Sequence, residues 1–444
     1  MHIAIIGNGI SGITAARHIR KLSDHKISVI SSETEHFYSR TALMYIYMGH
    51  MKYEHTKGYE DWFWEKNRID LVFRHVDTVD FESKTLSFSS GSETLNYDKL
   101  IIATGSAPNK FGWPGQDLEG VQGLYSMQDL EKLEEKSPEI ETAVIVGGGL
   151  IGLELAEMLK TRDKKVIMLV REKSFWNGVL PAAESEMLNE HIKEHHIDLR
   201  LETELDEIID NGNGSVKGLK TKSGESIDCQ FVGLTVGVHA NLGFLKETEL
   251  EIDKGILVNK YLETNIKDVY AIGDCCQHKN PPAGRRPTEQ IWYTGKIMGE
   301  TLAKTICKEP TKYEPGVFYN SAKFLDIEYQ TYGTVLAKPE DNVESFFWKH
   351  PEKNILVRLN FEKESKAIIG VNTFGIRMRH ETWDKWLTDK TSVEDILIDL
   401  PKANFDPEFF ATYEQDIVSH YNQTYNTHLE LKKPKKSFFS KLFN

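Results

Sequence analysis

Apolar runs that stop at glycine alternate with helical periodicity through the N-terminal part of the chain. Ile3-Ala4-Ile5-Ile6 leads straight into Gly7-x-Gly9-x-x-Gly12, and an amphipathic pattern follows over 13–22. That order predicts a buried parallel strand, a tight turn and a helix N-terminus. A second strand is expected over 27–30, and a third ends in the small residues Ala103-Thr104-Gly105. The runs 71–74 and 85–88 alternate with charged turns and read as antiparallel strands. The opening device recurs 140 residues later, where Ala143-Val144-Ile145-Val146 enters Gly147-x-Gly149-x-x-Gly152 ahead of a helical run over 153–159. A further strand is expected over 166–170, then an α/β pattern running to 232–237, and another buried strand over 269–272 that ends at Gly273-Asp274. The helical pattern over 289–306 carries Gly295 and Gly299, which suggests close packing on a neighbour. From about residue 313 short β-like runs give way to aromatic-rich helices, the texture of a separate α+β domain.

The chemistry that needs such turns is dinucleotide binding. Gly7 permits the tight turn, Gly9 lets the backbone approach a pyrophosphate, and Gly12 lets the helix pack on the strand. Ser11 lies in the same turn, and free N–H groups of the helix N-terminus face the phosphates. Glu33, 21 residues past Gly12, is placed to accept from ribose hydroxyls. The second turn, Gly147, Gly149, Leu150, Ile151 and Gly152, repeats the device, so two dinucleotides are expected.

At 444 residues the chain has room for two to four domains, and 27% charged with 40% hydrophobic residues marks an ordinary globular protein. A net charge of −13 argues against nucleic-acid binding, since nothing would attract a phosphate backbone over long range. No apolar run reaches the roughly 18 residues of a membrane span. A strand opening at residue 2 argues against a signal peptide, so a cytoplasmic protein is expected. Cys229, Cys275, Cys276 and Cys307 have neither metal-ligand nor redox-dithiol spacing, and reduced thiols with no metal site are expected.

Three motifs together give the chain its resemblance to the two-dinucleotide-binding-domain flavoproteins of the pyridine nucleotide-disulfide oxidoreductase superfamily. They are the first glycine turn with Glu33, the second glycine turn, and the pair Ala103-Thr104-Gly105 and Tyr270-Ala271-Ile272-Gly273-Asp274. The resemblance covers roughly residues 1–335 and implies an α/β fold: two Rossmann-like domains, each of three ββα layers, plus the C-terminal α+β domain. The boundaries it implies are 1–112 with 246–312 for FAD, 113–245 for NAD(P)H, 313–430 for the C-terminal domain and 431–444 for a basic-aromatic tail. It assigns Gly7, Gly9, Ser11, Gly12, Glu33, Arg40, Ala103, Thr104, Gly105, Gly273, Asp274 and Gln290 to FAD, with Asp274 on the ribityl chain. The second turn, Arg171 and Gly237 fall to the pyridine nucleotide.

Tyr38-x-Arg40 makes the chain most similar to the branch of rubredoxin reductases, nitrite reductase large subunits and apoptosis-inducing-factor-like proteins. Disulfide-reducing branches place cysteine in the helix that follows, where this chain reads Thr41-Ala42-Leu43-Met44-Tyr45. Many relatives pair a lysine near flavin N5 with a glutamate. Here Glu154 matches the glutamate but Tyr45 stands at the lysine position, leaving Glu154 to contact the nicotinamide amide or to serve as an ordinary helix residue. Val170-Arg171 replaces the acid that NADH-using relatives carry, which leans slightly to NADPH, while Gly152 is what NADH enzymes more often keep and Arg171 also reads as a solvated surface arginine.

The resemblance implies an enzyme that passes hydride from NAD(P)H to flavin N5 and then electrons to an acceptor, with no sulfur relay. The acceptor is either a protein carrier (iron–sulfur or rubredoxin type) or a small molecule. Two alternatives stand beside it: a quinone reductase on the inner membrane surface, and a redox-responsive binding flavoprotein with little turnover. The membrane alternative draws on residues 432–444, where five lysines sit beside Phe439, Leu442 and Phe443 at helical spacing. The same composition suits a frayed, solubilising terminus. For Arg285 and Arg286 a solvated loop is expected, and a helix start near 288–290.

Overall fold

The computed structural model describes residues 1–89 and 93–432. The chain divides into two compact units, one of Met1–Trp176 with Ile192–Gly316, the other of Asn177–His191 with the chain from Val317 onward.

In the first unit each glycine turn follows the central strand of its own five-stranded parallel sheet. The strand His2–Ile6 lies between Lys26–Ser31 and Lys99–Ile102, with Ile69–Phe73 and Val269–Ala271 at the edges. Ile3, Ala4 and Ile5 are fully buried, as expected of a parallel strand covered on both faces. The second sheet repeats the plan around Thr142–Val146, flanked by Lys165–Leu169 and Phe231–Leu234, with Asp198–Arg200 and Val121–Gln122 outside. Helices cover one face of each sheet. On the other, three-stranded antiparallel meanders (Val76–Asp80, Thr85–Phe88, Thr94–Asn96; and Leu205–Asp210, Val216–Thr221, Ser226–Asp228) share the sheets' hydrophobic cores. The ββα layering expected from the sequence is therefore present twice.

One strand differs from expectation. Ile69–Phe73 joins the first sheet in parallel rather than forming an antiparallel hairpin. At the edge of the sheet it is only partly covered, with Asp70 and Phe73 exposed, so it lacks the continuous buried run by which the central parallel strands are recognised.

The glycines of the helix Trp292–Cys307 pack as their size requires. A Cβ on Gly299 would lie 2.7 Å from the Ser11 carbonyl, and one on Gly295 would lie 2.4 Å from Ser11 Oγ.

The second unit is an α+β domain. Its antiparallel sheet runs in the order Tyr319–Phe324, Ile327–Gly333, Ile368–Phe374, Leu356–Glu362, Val343–Lys349. One face packs on the helices His380–Thr388, Val393–Ile398 and Glu414–Tyr425 through Trp383, Ile396 and Tyr421. The opposite face carries polar residues, and there Arg358 grips the fully buried Glu184 at 2.5 and 2.8 Å. No helix of the described residues is long and apolar enough to cross a membrane. The tail beyond residue 432 lies outside the described residues.

Candidate dinucleotide sites

The first turn is built to leave one place open. Gly7 has φ +112°, and a Cβ there would meet the Ala103 carbonyl oxygen at 2.1 Å; a Cβ on Gly12 would meet the Gly7 oxygen at the same distance. Gly9, between them, faces open space. Gly9 is also the N-cap of the helix Ile10–Leu22, which has no side-chain cap and no acid in its first turn. The leading N–H groups of that helix and its positive dipole end are therefore left for an anion. The same construction recurs at the second turn. Gly147 (φ +127°) and Gly152 are closed in by Thr235, at 2.4 and 2.7 Å, while Gly149 faces open space and N-caps Leu150–Lys160 without a side-chain cap or an early acid. These two uncapped, uncrowded helix starts fit two pyrophosphates.

A polar network links four of the predicted residues, Glu33, Arg40, Asp274 and Gln290. Arg40 holds both Glu33 oxygens, at 2.9 and 2.5 Å, and Glu33 Oε1 also accepts from the Tyr38 hydroxyl and the Met127 N–H. Burial alone would raise the Glu33 carboxyl; these donors outweigh it and hold the group below the usual carboxylate range. The Arg40 guanidinium stacks on Tyr125, 4.5 Å from the ring centre. The Tyr125 hydroxyl accepts from the Ser106 N–H at 2.8 Å. Ser106 Oγ in turn donates to Asp274 Oδ2 and accepts from Gln290 Nε2, both at 3.0 Å. Burial pushes the Asp274 carboxyl up, against the opposing pull of Ser106 and Arg40. Gly105 and Gly273 take positive φ of +71° and +75° beside Tyr125 and Ser11. Thr104 Oγ1 bonds the Asn241 carbonyl. Ser106 and Tyr125 are additions to the expected set. Ser106 directly follows the Ala103-Thr104-Gly105 motif, whereas Tyr125 has no local signal.

Two expectations are corrected at the last helix of this unit. It starts at Trp292, with Ile291 as N-cap and no side-chain cap, so Gln290 precedes it rather than opening it. Arg285 does not lie in a solvated loop. Its guanidinium and the Glu289 carboxylate pair at 2.7 and 2.5 Å, each side chain 7% exposed. The i,i+4 spacing outside a helix gives no pattern by which to foresee this. Arg286 is exposed and donates its N–H to the same carboxylate.

Near the second turn the predicted residues are spread out. Leu150, Ile151 and Glu154 are half-buried on the helix, and burial, with the Glu157 charge adding, pushes the Glu154 carboxyl up to about 7. Gly237 (φ +89°) lies against Asn109. Arg171 follows the strand Lys165–Leu169 with its side chain 72% exposed and its guanidinium on Glu172 at 2.8 Å. Tyr45 lies on the short helix Leu43–Tyr47, stacked on His50. That helix is pinned by Arg162, which donates to the Tyr47 carbonyl and pairs with Glu134. The four cysteines are free thiols; burial raises the pKa of each.

Residues 1–295 match the family described as pyridine nucleotide-disulphide oxidoreductase. The chain is 28% identical over 380 residues to the nitrite reductase, NAD(P)H, of Bacillus subtilis (strain 168), covering 84% of this chain and 45% of that protein. It is 27% identical over 332 residues to the rubredoxin-NAD(+) reductase of Ectopseudomonas oleovorans, covering 74% and 86%. It spans less than half the length of that nitrite reductase, 45%, and of the assimilatory nitrate reductase electron transfer subunit of the same organism, 40%. Among solved structures, a NAD-dependent persulfide reductase from A. fulgidus superposes with a TM-score of 0.83 at 23% identity, over 96% of this chain and 83% of that one. With two glycine turns on two ββα units and a family match across most of both, the chain belongs to the pyridine nucleotide-disulphide oxidoreductase family, a family of oxidoreductases.

Proposed function

We propose that the chain is an FAD-dependent NAD(P)H oxidoreductase that passes electrons to a protein carrier or a small acceptor without a redox disulfide. The observation that carries this reading is the pair of uncapped helix starts at Gly9 and Gly149, each open where a pyrophosphate would lie. In this reading the first turn holds FAD through Gly7, Gly9, Ser11 and Gly12, with Glu33 and Arg40 at the ribose side and Ala103, Thr104, Gly105, Gly273, Asp274 and Gln290 beyond. The second turn holds NAD(P)H through Gly147, Gly149, Leu150, Ile151, Gly152 and Gly237, with Arg171 inclining the site to NADPH. The domain limits proposed from the sequence go with this assignment.

Bound there, FAD supplies a centre that accepts hydride from a reduced nicotinamide and passes electrons on singly or in pairs. The protein's part is to bind, orient and hold protons. The Gln290–Ser106–Asp274 chain fixes the Asp274 carboxylate by a hydrogen bond from a buried hydroxyl. The Glu154 carboxyl, pushed up to about 7 by burial and the Glu157 charge, exchanges a proton near neutral pH. The protonated, buried Cys275 and Cys276 thiols support a route that uses no sulfur nucleophile.

Relatives named rubredoxin-NAD(+) reductase and ferredoxin reductase subunit support a small redox protein as acceptor. Tyr45, at the position where the resemblance implies a lysine in many relatives, supports a second reading, a redox-responsive binding flavoprotein with little turnover. The deciding experiment is anaerobic stopped-flow mixing of the FAD-loaded protein with NADH and NADPH, then reoxidation by a panel of carrier proteins and quinones. Rapid bleaching of the flavin band and fast reoxidation by one acceptor are expected. Protein that stays colourless with added FAD would end the proposal, and bleaching without reoxidation would favour the second reading.

A further inference from the structure

Two stretches of the first unit run between the same two ends. Both begin at Glu33. Arg40 holds that carboxylate and leads into the helix Leu43–Tyr47, while Met127, which donates its N–H to Glu33 Oε1 at 3.0 Å, opens the helix Met127–Lys136. The Gln128 amide adds a bond to the Glu33 carbonyl at 2.7 Å. Both stretches end at Arg162. Its Nε donates to the Tyr47 carbonyl at 3.1 Å, and its two terminal nitrogens reach the two Glu134 oxygens, each at 2.6 Å. The guanidinium carbon lies 3.6 Å from the centre of the Tyr47 ring. The buried Tyr47 hydroxyl meets Ser137 Oγ at 2.6 Å, so the far ends are also tied to each other.

Arg162 stands two residues past the helix Leu150–Lys160, whose open N-terminus at Gly149 is the second dinucleotide site. The helix Leu43–Tyr47 packs on that helix and on Met127–Lys136. Two short elements therefore span from the acid of one site to the far end of the helix that builds the other. The joint needs arginine. A planar fork serves a carbonyl and a carboxylate at once while lying on an aromatic face, whereas an ammonium is a single point charge. Hydride transfer in turn needs donor and acceptor held at reacting distance, where a misplacement of about 1 Å can cost on the order of 100-fold in rate.

We infer that Arg162 is a positioning residue, locking the stretches 40–47 and 127–137 into a frame that sets the spacing between the two nucleotides. This rests on the oxidoreductase reading of the two sites.

The test compares the FAD-loaded parent with Arg162→Met, Arg162→Lys and Lys99→Met. Lys99 pairs with Asp268 at 3.0 Å, at the end of the strand Lys99–Ile102 remote from Ala103, so its loss takes stability from the same unit without touching the frame. At saturating NAD(P)H both Arg162 variants should reduce the flavin anaerobically about tenfold or more slowly than the parent. The half-saturating nucleotide concentration should stay within about twofold, and the charge-transfer absorbance of the nicotinamide–flavin complex should weaken. Without nucleotide, amide deuterium uptake over residues 43–51 should be faster by about tenfold in both variants. Lys99→Met should lower the melting temperature and leave reduction and uptake as in the parent. If Arg162→Met does not fold, Arg162→Lys, which keeps the charge beside Glu134, makes the same comparison. A parent whose flavin NAD(P)H leaves oxidised would overturn the oxidoreductase reading and the inference with it. With a parent that bleaches, undiminished reduction in either Arg162 variant, unchanged uptake over 43–51, or equal slowing by Lys99→Met overturns the inference alone.

Discussion

The Arg40 guanidinium meets the Glu33 carboxylate at both oxygens, 2.9 and 2.5 Å, and stacks on Tyr125 from the same position. The predicted ribose acid is thus already half of an ion pair with 21% of its side chain exposed. A hydroxyl would bond a carboxylate whose charge and direction Arg40 has set.

Arg40→Met should therefore cost roughly 2–4 kcal/mol of stability near neutral pH, because it strands a partly buried carboxylate. Glu33 has a depressed pKa in the folded protein, so the stability it contributes is present above its unfolded pKa and disappears as pH falls through the folded value. The deficit of the variant should accordingly shrink as the pH is taken down towards about 4, and thermal melts across that range check this.

The middle glycines offer a cleaner separation of folding from binding. Gly149 sits at φ −119° and ψ −179°, and a methyl group added to it would have nothing within 4 Å, so Gly149→Ala should fold normally. It should raise KM for the pyridine nucleotide by about tenfold or more, since the methyl occupies the space a pyrophosphate needs. Gly152→Ala meets Thr235 Oγ1 at 2.7 Å and should instead lower the melting temperature. Differential scanning calorimetry beside steady-state kinetics distinguishes the two.

The sequence showed these turns because backbone geometry dictates them: a strand, three glycines and a helix leave few ways to fold. It showed Glu33 as an acid in register but not its saturation by Arg40, Tyr38 and Met127, the last 94 positions away. Tyr125 was invisible for the same reason, its partners being Arg40 and Ser106. The Arg285–Glu289 pair lies in a loop, where charged residues ordinarily signal solvent. The edge strand Ile69–Phe73 is set among charged turns, and nothing in its own residues states the direction of pairing, which its partner Lys26–Ser31 decides.

Ser106 is the hinge of the Gln290–Asp274 link, and its removal should loosen the flavin. In Ser106→Ala the Asp274 carboxylate loses its hydroxyl donor, at a cost of about 1–3 kcal/mol, and its already raised pKa should rise further. More FAD should dissociate on dilution, read by recovery of free-flavin fluorescence, with the loss greatest at low pH, where the carboxyl is protonated.

Arg171 is the residue on which the proposed NADPH preference rests. Its guanidinium rests on Glu172, so a 2′-phosphate must compete with that carboxylate, and the advantage should be modest. Arg171→Ala is expected to raise KM for NADPH by about fivefold and leave NADH unchanged, whereas Glu172→Gln should improve NADPH alone. Equal effects on both nucleotides would remove Arg171 from the site.

Glu154 makes the last prediction, because its acidity is tied to stability as well as to chemistry. Burial pushes its carboxyl up to about 7, with the Glu157 charge adding, against an ordinary value near 4.5. Between those two values the folded chain binds a proton that the unfolded chain has released. Stability contributed by the protonated form is therefore full below the unfolded pKa and lost as pH rises through the folded one. Glu154→Gln, which keeps the shape and abolishes the charge, should be more stable than the parent by on the order of 2 kcal/mol at about pH 8 and no more stable at about pH 4. The same substitution should flatten any step near pH 7 in the rate of flavin reduction by NAD(P)H. A step that survives unchanged would assign that ionisation to another group and leave Glu154 as an ordinary helix glutamate.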